Sequence, residues 1–197
     1  MARRERNPER SRERILAAAL EEFSAKGYAG ARVEAIAQRA GLNKQLISHH
    51  FGGKEALYRA VMEERRAGPG GELATQPENW PETLARFFDA ARRDPLWIRV
   101  LLWETLEVST GEGPLSEQRQ ARYRERVAWI ADEQTRGALP SGLDPALLYL
   151  SLIGATVYPL LLPHVAALVT GVDPTGDAFA ERYAAHLTAL VGALDPA

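Results

Sequence analysis

The sequence predicts an all-α fold, and three observations carry that expectation. No run of the chain alternates apolar and polar residues with the period of two that marks a half-buried strand. Ala, Leu, Arg and Glu dominate between the turns, and all four favour helix. Glycine and proline cluster at 68–71, 111–114, 137–145 and 171–176, which divides the chain into helix-length segments.

The first helix is expected to open after Asn7, a good N-cap, with Pro8 where a missing N–H costs nothing. Ile15, Leu16, Ala19, Leu20 and Phe23 form its apolar face, and Gly27 is expected to end it. A second helix of about two turns follows over Val33–Ala40, with Val33, Ile36, Ala37 and Ala40 on one side and Gly41 behind it. Asn43 reads as the next cap, and Leu42 and Ile47 are spaced for a hydrophobic staple across it, so a third helix is expected from about Lys44 to Phe51. Neither short helix buries enough surface to stand alone. Packed on the first helix as a floor, they make a helix-turn-helix whose second helix faces outward. Short helical hairpins with a glycine also serve as plain packing units. A fourth helix buries Leu57, Tyr58, Val61 and Met62.

Composition fits a folded globular protein, with 46% hydrophobic and 25% charged residues and enough length for a sizeable core. The net charge of −2 hides a segregation. Residues 1–66 hold 14 basic and 9 acidic groups, a net +5, and the remainder holds 10 and 17, a net −7. The first third is therefore a candidate for contact with a polyanion. The absence of cysteine excludes a disulfide framework, a thiolate metal site and a cysteine nucleophile. The start, MARRERNPERSRER, has basic residues with no apolar segment behind them, so no export is expected and the location is read as cytoplasmic. Arg3, Arg4, Arg6 and Arg10 form either an arm along DNA or a basic tail.

The stretch from Gly27 through Val33-Glu34-Ala35-Ile36-Ala37, Ala40-Gly41-Leu42-Asn43-Lys44 and on to His50-Phe51-Gly52-Gly53-Lys54-Glu55-Ala56-Leu57 closely resembles the DNA-binding domain of the TetR family. About 50 consecutive residues keep the family's order. The chain departs from it at Arg32, where a hydroxyl usually caps the second helix, and at Ser48 and His50, where tyrosine or another aromatic is common. The resemblance implies an N-terminal three-helix helix-turn-helix domain with its linking helix over residues 1–66, and a C-terminal helical dimerisation and effector-binding domain over 67–197.

Residues four apart share a helix side, so placing Ile47 and Phe51 inside turns Lys44, Gln45, Ser48 and His49 outward. The resemblance sets these in or beside the major groove. Lys44 and Gln45 suit guanine and adenine edges, and Leu46 suits a thymine methyl. Tyr28, Arg32, Asn43, His50 and Lys54 are the candidates for phosphate contact, and Lys54 is the position where the family places a lysine on the backbone.

Beyond the fourth helix lie all four tryptophans, and by resemblance Trp97, Leu101, Trp103, Tyr123, Trp129 and Tyr149 are candidates to line an effector pocket. An aromatic stripe at helical spacing also serves as ordinary core. Residues 146–170 contain no charged side chain, yet Pro159 and Pro163 interrupt them and no basic anchors flank them, so a membrane span is not expected. With the final helix, about Phe179 to Leu194, this segment resembles the family's four-helix dimer interface. That places Leu150, Ile153, Val157, Leu161, His164, Leu168, Tyr183, Leu187 and Leu190 between subunits.

The expected partners are a double-stranded DNA operator, a second copy of the chain and an unidentified small apolar or aromatic effector. No cofactor is called for. Four scattered histidines offer no metal-ligand spacing, and neither a catalytic acid–base pair nor a phosphate loop appears, so an enzyme is not expected. A helical adaptor that does not bind DNA is the other reading, for which Arg32 and Ser48 at family DNA positions speak.

Overall fold

The computed structural model describes residues 8–67, 80–107 and 116–194, and all regular structure among them is helical. In chain order the helices are α1 (Pro8–Gly30), α2 (Val33–Ala40), α3 (Lys44–Phe51), α4 (Lys54–Ala67), α5 (Trp80–Arg92), α6 (Pro95–Glu107), α7 (Ser116–Thr135), α8 (Pro145–Leu161), α9 (Pro163–Thr170) and α10 (Asp177–Gly192). The expected cap at Asn7, the arginines Arg3, Arg4 and Arg6, and the turns at 68–71 and 111–114 lie outside the described residues.

The chain divides into two compact units. Among the described residues the first holds 8–67 together with 96–107, and the second holds 80–95 and 116–194. Trp97, Leu101 and Trp103 therefore belong to the first unit, whereas Tyr123, Trp129 and Tyr149 belong to the second.

In the first unit α1 packs on α2 and α4, and α3 packs between α2 and α4. Ile15, Ala19 and Phe23 of α1, Ile36 of α2, Ile47 of α3 and Leu57 and Met62 of α4 are sealed from solvent, and Trp97 and Val100 of α6 are nearly so. The Tyr58 and Phe23 rings meet edge to face with centroids 5.0 Å apart. α1 breaks at Gly27, with φ 69° and ψ 179°, where the first helix is expected to end, and a further helical turn runs to Gly30.

The second unit is organised around α5, which packs on α10 and α8, while α7 packs on α8. Leu84 and Phe88 of α5, Ile130 of α7, Leu152 of α8 and Phe179 and Leu187 of α10 form its core. Asp144 caps α8 by accepting from the N–H groups of Ala146 and Leu147, with Pro145 in the first turn. Arg92 ties the end of α5 to the start of α10 through Asp177 at 3.2 Å.

α8 tolerates Pro159 inside it, and the break falls at Leu162, after which α9 runs off at 92°. Among the described residues no single helix is long and apolar enough to cross a membrane.

One expectation for the dimer face is corrected here. Leu187 is 0% exposed and belongs to the core of the second unit. Tyr183 is half-buried, stacks on Phe179 at 5.3 Å and donates its hydroxyl to the Ala155 carbonyl, so it clamps α10 to α8 within the chain. Leu150 at 66% and Leu168 at 84% are exposed, as are His164 and Leu190, and Ile153, Val157 and Leu161 are partly covered.

Candidate nucleic-acid interface

The turn between α2 and α3 follows from three residues. Gly41 takes the left-handed conformation, φ 61° and ψ 37°, which a side chain adopts only at a cost. Its N–H then reaches the Gln38 carbonyl and that of Leu42 reaches Ala37, so the last carbonyls of α2 are satisfied. Arg14 of α1 donates to the Ala40 carbonyl and fastens the turn to the supporting helix. Asn43 then starts α3, its side-chain oxygen accepting from the Gln45 N–H at 2.9 Å. That oxygen is committed to the cap, which leaves the amide nitrogen of Asn43 for any phosphate.

α3 is anchored through Ile47, whose burial contributes about 1.5–3 kcal/mol. Phe51, one turn on, is only half-buried and carries the Arg12 guanidinium 5.7 Å above its ring. With this side down, Lys44, Gln45, Ser48 and His49 are exposed, and Leu46 and His50 are half-buried. The structure thus exposes four of the five residues expected to read bases and leaves Leu46 half-buried beside them.

Lys44 does not stand free. Its ammonium pairs with the Glu34 carboxylate of α2, and the hydrogen bond from Lys44, followed by one from the Glu34 backbone and then by the Lys44 charge, holds the Glu34 carboxyl below its usual range. Both groups are more than half exposed, so the pair adds little to stability, but it fixes where the Lys44 cation sits.

Arg32 occupies the N-cap of α2 with no side-chain cap bond, as its lack of a short hydroxyl dictates. The buried Glu22 carboxylate instead accepts from the N–H of Arg32 itself at 3.5 Å, and it pairs with Lys26 at 3.0 Å and Arg39 at 3.6 Å. Desolvation pushes the Glu22 carboxyl up. The hydrogen bonds from Lys26 and the Arg32 backbone, with the charges of Lys26 and Arg39, outweigh that and hold it below its ordinary value.

Lys54, at the start of α4, donates to the Ala29 carbonyl at 3.2 Å and lies 4.8 Å from the centre of the Tyr28 ring. Tyr28 in turn meets Tyr58 at 5.0 Å, and burial, followed by the Glu55 charge, pushes its phenol above the usual value. Two of the expected phosphate groups, Tyr28 and Lys54, are thereby one cluster.

The expected effector residues are divided between the two units. Trp103 donates its indole N–H to the Ser24 carbonyl at 3.1 Å and Trp97 is buried, which gives both a structural duty in the first unit. In the second unit Tyr123 and Tyr149 approach to 6.3 Å, and Trp129 stacks on Trp80 at 4.7 Å. Sequence reasoning missed Arg14, Glu22, Glu34 and Glu107. Apart from the Glu22–Lys26 spacing of four, none carries a local signal, because each acts on a residue ten or more positions away.

A recognition helix held behind a glycine turn, with its polar side exposed, is the mark of a helix-turn-helix DNA-binding protein. The description of bacterial regulatory proteins of the tetR family fits residues 15–61, and that of the tetracycline-repressor-like C-terminal domain fits residues 79–189, more than half of the chain. The chain belongs to the TetR family, whose members are transcriptional regulators and not enzymes.

The chain is 33% identical over 172 residues to the HTH-type transcriptional repressor SCO4008 of Streptomyces coelicolor, covering 87% of this chain and 89% of that one. It is 48% identical over 50 residues to the regulator RutR of Escherichia coli, about a quarter of each chain. Among solved structures it resembles the transcriptional regulator SCO4942 of Streptomyces coelicolor with a TM-score of 0.76 and 29% identity, over 94% of this chain and 98% of that one. It shares the fold of AibR, solved with isovaleryl coenzyme A and operator DNA, with a TM-score of 0.64 and 19% identity over 95% and 100% of the two chains.

Proposed function

We propose that the protein represses transcription in the bacterial cytoplasm by binding an inverted-repeat operator as a homodimer, and that a small apolar or aromatic effector releases it. The observation that carries the DNA half is the exposed row Lys44, Gln45, Ser48 and His49 on a helix anchored by Ile47. Lys44 and Gln45 read base edges, Leu46 meets a thymine methyl, and Ser48 and His49 lie alongside. Tyr28, Arg32, Asn43, His50 and Lys54 hold the phosphates and fix the register. Residues 1–66 serve DNA and residues 67–197 serve dimerisation and sensing.

The exposed apolar side chains of Leu147, Leu150 and Tyr158 on α8, Leu168 and Val169 on α9 and Leu190 on α10 support a second copy as partner. The effector half leans on the second unit, on Tyr123, Tyr149 and Trp129. The Trp129 indole nitrogen is buried and has no hydrogen-bond partner among the described residues, which favours an effector offering an acceptor beside an aromatic surface.

In vitro selection from random DNA tests the reading. A palindrome is expected, with half-sites about one helical turn, roughly 34 Å, apart. Gln45→Ala is then expected to relax preference at one base pair of each half-site by about 1–3 kcal/mol. Selection that enriches no sequence overturns the proposal.

A further inference from the structure

The break in α1 is held from a distance. Such a break leaves backbone N–H groups on its far side without helical partners, and those of Tyr28 and Ala29 are taken by the two oxygens of Glu107, at 2.9 Å and 3.1 Å. Trp103, one turn earlier on the same side of α6, takes the Ser24 carbonyl ahead of the break. Gly27 between them has a positive φ, and a Cβ there would overlap the Glu107 carboxylate and crowd the Trp103 ring. Both ends of the break are thus closed by α6, 78 and 79 residues away in the chain. The turn held in this way carries Tyr28, which lies under the Lys54 ammonium, and Ala29, whose carbonyl accepts from it.

We propose that Glu107 is a positioning residue for DNA binding. Its carboxylate fixes the turn from Gly27 to Gly30, and the turn fixes Tyr28 and Lys54 for the phosphate backbone. The inference rests on the reading of Tyr28 and Lys54 as phosphate contacts. It assigns part of the DNA affinity to α6, within the stretch that matches the C-terminal description and outside the helix-turn-helix.

Charge makes the claim testable. Removing an acidic group from a DNA-binding unit strengthens binding to a polyanion if electrostatics alone decides. Loss of the clamp weakens it. Binding of the full-chain protein to the selected duplex and to a random duplex is titrated by fluorescence anisotropy, with circular dichroism confirming the fold of each variant.

Glu107→Ala is expected to bind both duplexes about tenfold more weakly, the scale of lost charge-assisted hydrogen bonds. Glu107→Gln, which keeps one accepting oxygen, should fall between it and the wild type, and it carries the test if the alanine variant does not fold. Because the route runs through Tyr28 and Lys54, the loss in Glu107→Ala combined with Lys54→Ala should be smaller than the product of the two single losses. Unchanged or tighter binding by a folded Glu107 variant overturns the inference, and so does a double variant whose losses multiply. A silent Lys54→Ala beside a clear Glu107→Ala loss instead removes Lys54 from the phosphate contacts and overturns the route through it, leaving the operator reading to the selection experiment.

Discussion

Glu22 shows how a buried charge is kept in this protein. At 1% exposure a lone carboxylate is costly, and the cost is met by Lys26, Arg39 and the Arg32 N–H, which together bind the first helix to both ends of α2. Because the folded state lowers this carboxyl below 4.5, the stability it contributes is present above the unfolded value and is lost as pH falls through the folded one. Glu22→Gln removes the ionisation while keeping the shape. Its melting temperature is therefore expected to lie below that of the wild type at neutral pH, with the gap narrowing as pH drops below 4.5; a gap constant with pH would show that the charge is not what stabilises. Glu22 and its partners were not legible in the sequence as a network, since acidic pairs such as Glu21-Glu22 look like any solvated helix surface. Only packing distinguishes the two, leaving Glu21 exposed and Glu22 sealed.

At the level of elements, the short helices were the most legible part of the chain. The bounds of α2 and α3 agree with the expectation because local chemistry sets them: Gly41 for the left-handed stop, Asn43 for the next start, Ile47 for the inward side. The first helix ends at Gly27 for an equally local reason, its positive φ, whereas the groups that close the break, Glu107 and Trp103, come from α6, far along the chain. No sequence spacing encodes that. The contrast between the two glycines leads to a prediction. Gly41 has φ 61°, and a Cβ would press on the Arg14 guanidinium, the far end of a flexible chain that can shift. Gly41→Ala should therefore cost mainly the left-handed conformation, about 1–2 kcal/mol by denaturant unfolding, with the fold retained. A loss several times larger would mean that the Arg14 contact with Ala40 cannot be given up.

For the whole molecule, the apolar helices of the C-terminal half were legible as interface or core, but the choice between these was not, because one period of apolar residues serves either burial. Leu187 went to the core and Leu150 stayed outside, although both sit on strongly apolar helices. The exposed stripe runs Leu147, Leu150 and Tyr158 along α8, and nothing lies within 4 Å of where a side chain on Gly154 would extend, so a partner helix can approach closely there. The proposed pairing of two copies would cover this surface by a two-fold operation that also sets two recognition helices on one face of DNA. Dimerisation and operator affinity are then one property. Leu150→Glu places two carboxylates across the symmetric contact while leaving the subunit core untouched, since Leu150 is 66% exposed. The variant is expected to sediment as a folded monomer and to lose operator affinity by more than the about 10–100-fold typical of losing a single contact, while binding to a half-site at high protein concentration persists. A Leu150→Glu protein that remains dimeric and retains operator binding would move the interface away from α8.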